Sequence, residues 1–312
     1  MWGFLFFLPL LTGNALAGQY QLTDSYAGQG FLDGFYFEAI SDPTRGRVNY
    51  VDAGTASQQN LTYASKNHFI LRADFTSYLD PNGPGRNSVR IKSNKQYTTS
   101  VMVFNLYHMP TGCGTWPAIW TVGNDWPNQG EIDMLEGIND VAPNQVTLHT
   151  GSGCTMPASR PQTGTSGGDN CDSYATNNVG CGVRLTSSNS NYGHGFNANG
   201  GGWYAIERST NGIKVWFWSR AGSAPQDVQH GTSTVNTDNW GMPAADFPSG
   251  SCDISQYFGP HNIVINLDFC GDWAGAAYAQ SGCPSTCVDF VNNNPGAFQD
   301  SYFDIAWLNV YT

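Results

Sequence analysis

Apolar and polar residues alternate along several short segments of the chain. The alternation is clear in residues 88–93 and in residues 261–269, where every odd position from Ile263 onward is apolar. A period of two places the apolar side chains on one face of a β-strand. Residues 303–311 are predicted to form a last strand. No stretch of twelve or more residues has a helical period, so the pattern predicts an all-β protein.

One pair of apolar segments has the spacing of a β-hairpin. Residues 203–208 and 213–218 are both rich in aromatic and β-branched residues, and Asn211-Gly212 lies between them. We predict a type I′ turn at Asn211-Gly212, because that turn needs two residues with positive φ. Short strands separated by clusters of Gly, Asn, Pro and Ser predict a two-sheet antiparallel sandwich or a barrel.

A long polar segment, residues 151–202, interrupts this pattern. It is rich in Gly, Ser, Asn and Thr and contains three cysteines. A flexible linker has little use for cysteines, so we expect long loops over one face of the sandwich, held by disulfides. With no internal repeat in view, we predict a single catalytic domain over residues 18–312.

The first seventeen residues have the features of a signal peptide. Residues 4–11 form a short apolar run, and Ala15-Leu16-Ala17 matches the small-x-small cleavage pattern. The run is too short to span a bilayer. We therefore expect cleavage after Ala17 and a secreted mature protein that does not enter the membrane.

Secretion changes how the cysteines are interpreted. An oxidising compartment allows disulfides, and the remaining chain holds an even number of cysteines: Cys113, Cys154, Cys171, Cys181, Cys252, Cys270, Cys283 and Cys287. Eight cysteines allow about 105 pairings, so the connectivity stays open. Asn60-Leu61-Thr62 is the only N-glycosylation sequon, and we predict a glycan at Asn60 on a surface loop.

The charge balance excludes some partners. The net charge is −11, with only 13 basic residues, whereas nucleic-acid binding requires lysines and arginines against phosphates. Charged residues make up 12% of the chain and aromatic residues 13%. This composition suits a neutral polar ligand that stacks on aromatic rings, although most of these rings are expected to fill a β core.

For the oligomeric state, we expect a monomer.

Three of the 24 acidic residues occur together, in the segment Glu131-Ile132-Asp133-Met134-Leu135-Glu136. In a regular strand, Glu131 and Glu136 would face opposite sides of the sheet. One extra residue near Met134-Leu135, a β-bulge, would return Glu136 to the face of Glu131 and Asp133. We predict this bulge, because it gives the two glutamates a common substrate.

The spacing of these glutamates suits glycosidic-bond cleavage. About four strand steps, or ~13 Å, would separate their Cα atoms, and side chains leaning together would bring the carboxyls to about 5–5.5 Å, the retaining separation. We assign Glu131 as nucleophile and Glu136 as acid/base, with Asp133 hydrogen-bonded to Glu131. Close carboxylates do not all ionise easily, so one pKa should rise toward about 6. The alternative is an ion cluster or calcium site, but no calcium-binding loop motif is present.

The residues around this segment resemble those of glycoside hydrolase family sixteen, especially its secreted fungal laminarinase-type endo-β-1,3(4)-glucanases. The similarity rests on the following segments: Gly114-Thr115-Trp116-Pro117-Ala118-Ile119-Trp120, Trp126-Pro127, Gly130-Glu131-Ile132-Asp133-Met134-Leu135-Glu136-Gly137 and Leu148-His149. It implies a β-jelly-roll sandwich whose concave sheet forms an open cleft. It also implies hydrolysis, with retention, of neutral β-1,3 or mixed β-1,3/1,4 glucans.

The resemblance also adds supporting residues. His149 alternates onto the polar face of its strand and is expected near the acid/base or the leaving sugar. Trp126 and Trp273 resemble residues that hold glucose rings beside the scissile bond, since an indole presents a flat apolar face. Core packing is the alternative for each tryptophan. The further candidates for the cleft are Trp116, Trp120 and Arg90.

Other motifs lead to no second activity. Residues 164–168 match Gly-x-Ser-x-Gly, but a nucleophile elbow needs a strand before the serine and a helix after it. Cys283 and Cys287 have no nearby second pair or histidine, which disfavours zinc. We expect no metal in the site and no required cofactor, and leave a structural calcium open. The alternatives to hydrolysis are a glucan transglycosylase using the same carboxylates and a non-catalytic glucan-binding lectin.

Overall fold

The computed structural model describes residues 18–312, so the predicted signal peptide, residues 1–17, lies outside the described residues. The described chain is mainly β-structure. Its nineteen strands are β1 (Gln19–Tyr26), β2 (Phe35–Phe37), β3 (Val48–Tyr50), β4 (Thr62–Ser65), β5 (His68–Arg72), β6 (Arg86–Ser88), β7 (Arg90–Tyr97), β8 (Ser100–His108), β9 (Thr115–Gly123), β10 (Glu131–Glu136), β11 (Gln145–His149), β12 (Thr165–Ser166), β13 (Cys181–Arg184), β14 (Gly202–Ser209), β15 (Gly212–Ser219), β16 (Thr234–Asn236), β17 (Ala245–Pro248), β18 (His261–Phe269) and β19 (Tyr302–Tyr311).

The helices of the described chain are short, as the missing helical period predicts. They are α1 (Gln29–Gly34), α2 (Ala53–Gln58), α3 (Gly193–Ala198), α4 (Gln226–His230), α5 (Ile254–Tyr257) and α6 (Cys287–Asn293). Single turns of 3₁₀ or π helix lie at Asn189–Asn191, Thr237–Asn239, Gly271–Gly275, Tyr278–Gln280 and Pro295–Phe298. In residues 18–312 no helix has the length and apolar character needed to cross a membrane.

The strands form two large antiparallel sheets. The nine-stranded sheet has the order β16-β1-β19-β8-β14-β15-β17, with β5 paired to β19 and β4 to β5. The eight-stranded sheet has the order β12-β13-β11-β10-β9-β18-β7-β2. A separate parallel pair joins β3 and β6. The predicted all-β, two-sheet jelly-roll sandwich is confirmed.

The main core lies between the two sheets. Ile119 and Ile132 from the eight-stranded sheet and Phe104 and Leu308 from the nine-stranded sheet are almost fully buried in it. A second, smaller core covers the far side of the nine-stranded sheet and includes Val101, Val103, Trp203, Trp216 and Trp240. The eight-stranded sheet therefore has one face on the main core and the other available for a ligand.

The predicted hairpin is present, but its predicted turn is wrong by one residue. Ser209 pairs with Gly212, so the two-residue connection is Thr210-Asn211, and Asn211 has no positive φ. Gly212 is instead the first residue of β15. A Cβ atom there would lie 2.8 Å from the carbonyl oxygen of Phe247 on β17. The glycine allows the neighbouring strand to approach, which the local turn motif could not reveal.

The polar segment of residues 151–202 forms loops with two short strands and α3, and two disulfides fix it as predicted. All eight cysteines are paired, in the bonds Cys113–Cys283, Cys154–Cys252, Cys171–Cys181 and Cys270–Cys287. Asn60 is exposed in the turn that precedes β4. That a single domain fills residues 18–312 stays a prediction.

Candidate active site

The predicted bulge is present in β10. On the side of β9, Asp133 pairs with Trp120 and Leu135 pairs with Ile119, so Met134 is the extra residue. Met134 and Leu135 both point into the main core, at 2% and 0% exposure. The bulge confirms the expected change of phase.

As a result of the bulge, the three acidic side chains share one face. Glu131, Asp133 and Glu136 all line a cleft of about 480 Å³ over the eight-stranded sheet. The strands beneath it are β7, β9, β10 and β18. An unbroken pleat would have sent Glu136 into the core.

His149 completes the carboxylate cluster. It lies on β11 directly opposite Glu131, and its Nε2 is 3.4 Å from Oδ2 of Asp133. Donor atoms of Glu131, Asp133 and His149 all lie within 4.8 Å of one another. This set of described residues is close enough to hold one metal ion, but the same atoms are those that carboxylate catalysis needs. The expectation of no required cofactor stays a prediction.

Burial makes two of the carboxyls hard to ionise. Burial raises the pKa of Asp133 well above its usual range, and the charge of Glu131 and a hydrogen bond with it raise this pKa further. Burial also raises the pKa of Glu136 well above its usual range, and the charge of Asp133 adds to the effect. A hydrogen bond from Trp116 and the charge of His149 oppose the rise in the pKa of Glu136. Glu136 can therefore keep its proton in the same cleft as the carboxyl of Glu131.

The structure brings most of the predicted binding residues to the cleft, where Trp116, Trp120, Trp126 and Arg90 contribute to its wall. Trp126 is 44% exposed, as expected of a side chain that a ligand covers. Trp116 donates its Nε1 hydrogen to Oε1 of Glu136 at 2.8 Å. Trp273 packs edge to face against Trp116, with 5.8 Å between the ring centroids, and so lies next to this wall.

Arg90 is held by two neighbours. Its Nε donates to Oε2 of Glu38 at 2.7 Å, and its guanidinium lies 4.9 Å from the ring centroid of Trp120. Trp120 in turn donates its Nε1 hydrogen to Oδ1 of Asn266 at 2.7 Å. The polar atoms in this part of the cleft are therefore pre-oriented.

The sequence analysis missed a second group of polar side chains that lines the cleft. Oγ1 of Thr44 lies 2.6 Å from Oδ2 of Asp42 and 2.7 Å from Oδ2 of Asp268. Tyr50 and Asn266 line the same region, and they are joined by a hydrogen bond. The alternation of residues 261–269 could have revealed Asn266 and Asp268. It places both side chains on the face of the strand that does not carry the core residues Ile265 and Leu267. The sequence around Asp42 and Thr44 contains no motif that indicates a binding site. Their loop is brought to the cleft by the tertiary fold.

Comparison with known proteins identifies the family. The sequence model described as XgeA-like, catalytic GH16 domain matches residues 35–311. A probable glycosidase of Schizosaccharomyces pombe is 43% identical over 299 residues, covering 95% of this chain and 70% of that protein. A probable endo-1,3(4)-β-glucanase of Neosartorya fischeri is 39% identical over 323 residues, covering 99% of this chain and 48% of that protein. The chain thus spans about half the length of this glucanase relative.

Solved structures agree with this placement. Laminarinase 16A of Phanerochaete chrysosporium, solved with β-glucans in its donor and acceptor sites, has a TM-score of 0.93 and 57% identity, and the match covers 94% of this chain and all of that chain. An elongating GH family 16 β-1,3-glucosyltransferase has a TM-score of 0.88 and 38% identity, with the same coverage of 94% and 100%. The predicted resemblance is confirmed, and the chain belongs to glycoside hydrolase family 16.

Proposed function

We propose that the chain is a retaining endo-1,3(4)-β-glucanase that acts on neutral laminarin-type glucans. The observation that carries the proposal is the bulge in β10, which turns Glu131 and Glu136 to the same cleft face. Retaining glycosidases need two carboxyl groups on opposite sides of one glycosidic bond, one as nucleophile and one as acid/base. The names of the relatives support the substrate class and the endo action.

The reaction proceeds in two displacements. The carboxylate of Glu131 attacks the anomeric carbon, while the bond from that carbon to the leaving oxygen breaks and Glu136 gives this oxygen its proton. A covalent glycosyl-enzyme results. Water then attacks the same carbon, Glu136 takes the proton from the water, and the bond to Glu131 breaks. Two inversions give retention.

The raised pKa of Glu136 suits its proposed role. An acid with a raised pKa still carries its proton at the pH where a carboxylate nucleophile is ionised. Asp133 also has a raised pKa and lies beside Glu131, so in its protonated form it donates to Glu131 and orients it. His149 supports the cluster through Asp133, to which its Nε2 is close.

The cleft wall supports the choice of a neutral, ring-shaped ligand. Indoles such as Trp126 and Trp116 offer flat apolar surfaces to the faces of glucose rings, and Arg90 and Asn266 offer polar groups to the hydroxyls. Trp273 is proposed to extend this wall through Trp116. The four disulfides support the proposal that the enzyme is secreted, because such bonds persist in oxidising compartments.

Isosteric substitution tests the assignment. Glu131→Gln and Glu136→Gln should each abolish release of reducing sugar from laminarin, while circular dichroism shows the fold intact. Glu207→Gln is a matched control, because Glu207 is buried on the nine-stranded sheet, away from the cleft. Normal turnover by either cleft variant would refute the roles given. Proton NMR should show the β-anomer first, and a first product of α configuration would refute retention.

Transfer to another sugar is a second candidate, favoured by the likeness to an elongating glucosyltransferase. Both reactions share the glycosyl-enzyme and differ in the acceptor, water or a glucan hydroxyl. Product analysis at high laminari-oligosaccharide concentration separates them, since transfer gives chains longer than the substrate. A lectin on the same fold would release no reducing sugar in either assay.

A further inference from the structure

The bulge in β10 leaves a gap in the hydrogen bonding with β11. The two strands pair at Glu131 with His149, Ile132 with Leu148 and Asp133 with Thr147, and the ladder ends there. The backbone beyond Asp133 is buried on this side, and buried polar groups of the main chain need partners. Some other group must therefore satisfy the backbone around Met134 and Glu136.

The side chain of Asn144 fills this gap. Its Oδ1 accepts the backbone N–H of Glu136 at 2.8 Å, and its Nδ2 donates to the backbone carbonyl of Met134 at 3.0 Å. Continued without the bulge, the register would place Asn144 opposite Glu136. The amide thus replaces a backbone partner that the bulge has removed. Asn144 is fully buried, at 0% exposure.

Asn144 is itself held by the turn Asn189–Asn191. Its backbone N–H donates to Oδ1 of Asn191 at 2.8 Å, and Asn191 donates through Nδ2 to the carbonyl of Leu185 at 2.6 Å. The hydroxyl of Tyr204, on β14 of the nine-stranded sheet, donates to the carbonyl of Asn191. Asn191 and Tyr204 are both fully buried. The position of Asn144 is therefore fixed by Asn191, which Tyr204 of the nine-stranded sheet holds in place.

We propose that Asn144 is a positioning residue for the acid/base Glu136, acting through the backbone of the bulge. This inference rests on the proposed function. Both amide atoms of Asn144 hold the main chain on either side of Leu135, and the Cα of Glu136 follows that segment. Loss of the clamp moves the carboxyl of Glu136 relative to the leaving oxygen, while Glu131, which lies before the bulge and pairs with His149, keeps its place.

Two substrates distinguish this role from a general loss of structure. Laminarin has a poor leaving group that needs protonation, whereas a dinitrophenyl β-laminaribioside has a good one that does not. Asn144→Leu should lower kcat/KM for laminarin by about 10–100-fold, since a displaced general acid loses much of its contribution. The value for the dinitrophenyl glycoside should stay within about threefold, because acid catalysis adds little there. The ratio of the two values does not depend on the folded fraction.

Asn197 provides a matched control. Its side-chain amide also bridges one backbone N–H and one carbonyl, both of Met109, at 3.0 Å each. Asn197→Leu should leave the substrate ratio unchanged even if the melting temperature falls. If Asn144→Leu does not fold, Asn144→Asp keeps the acceptor for Glu136 and loses the donor to Met134, and it should shift the ratio in the same direction.

Each outcome has a distinct meaning. A parallel fall for both substrates, or no fall for either, would overturn the positioning role of Asn144. A selective fall for laminarin supports it. If the unsubstituted enzyme cleaves neither substrate, the proposed function fails instead.

Discussion

Replacing Trp116 by phenylalanine removes one hydrogen bond to the proposed acid/base and keeps an aromatic ring in the cleft. The indole Nε1 of Trp116 donates to Oε1 of Glu136 at 2.8 Å. A donor to a carboxylate stabilises its ionised form, and this bond opposes the rise in the pKa of Glu136 that burial and Asp133 cause. Trp116→Phe should therefore raise the pKa of Glu136 further.

The size of this shift follows from the strength of one charge-assisted hydrogen bond. Such bonds contribute about 1.5–3 kcal/mol net, and about 1.4 kcal/mol corresponds to one pKa unit. This range is the upper limit for Trp116→Phe. Trp116 is half-buried, so water can take the place of its N–H, and we expect the ionised form of Glu136 to lose about 1 kcal/mol, which moves its pKa upward.

The assay is the pH dependence of kcat/KM on laminarin. Glu136 must carry its proton in the first step, so activity falls as the pH rises through its pKa. The high-pH limb of the profile should move to higher pH in Trp116→Phe, whatever happens to the maximum rate. A limb that stays in place, or moves to lower pH, would refute the reasoning.

Trp120→Phe supplies a matched control on the same strand. Its Nε1 hydrogen goes to the amide oxygen of Asn266 and not to a carboxylate. The chemical change is identical, so any general effect of losing an indole in the cleft appears in both variants. Only Trp116→Phe should move the limb.

Three further predictions concern stability and modification. Cys154→Ser opens a bond between residues 98 apart, and Cys171→Ser one between residues 10 apart. Urea unfolding should show losses of about 5 and about 3 kcal/mol, and equal losses would contradict the chain-entropy estimate. Burial beside Asp42 raises the pKa of Asp268 to about 8, so ionising this carboxyl destabilises the fold. The melting temperature of the parent should fall relative to that of Asp268→Asn as the pH rises from about 5 to 9, and a constant difference would exclude the effect. Peptide N-glycosidase should lower the mass of the protein expressed in a fungal secretory host and leave that of Asn60→Gln unchanged, and an unchanged mass of the parent would exclude a glycan at Asn60.

The chemistry of the site was largely predictable because it depends on whether two residues of one strand are an odd or an even number of positions apart. Glu131 and Glu136 are five positions apart, an odd number, so a shared face requires one extra residue. Only apolar residues lie between Asp133 and Glu136, and this places the extra residue at Met134 or Leu135. Similarly, alternation over residues 145–149 correctly put His149 on the polar face. These inferences need only local geometry.

Features that depend on contacts between distant segments could not be predicted. Asn144 looks like an ordinary polar residue before a strand, and its role appears only when the gap in the adjacent ladder is known. The pair Asn211-Gly212 predicts a turn because Asn-Gly is common in turns, whereas the approach of β17 explains the glycine. The disulfide pairing could not be predicted for the same reason, since Cys113 and Cys283 are 170 residues apart in sequence.

Core packing and catalysis select the same register of β10. Without the bulge, Leu135 would turn from the core to the cleft and Glu136 would turn into the main core. Exposing a leucine costs about 1.5–3 kcal/mol, and a buried carboxyl without partners adds several more. Ile132, Met134 and Leu135 are each at most 2% exposed in the observed register. The hydrophobic core therefore holds the two glutamates on one face, and a pairing of the same six residues without the bulge would lose activity and stability together.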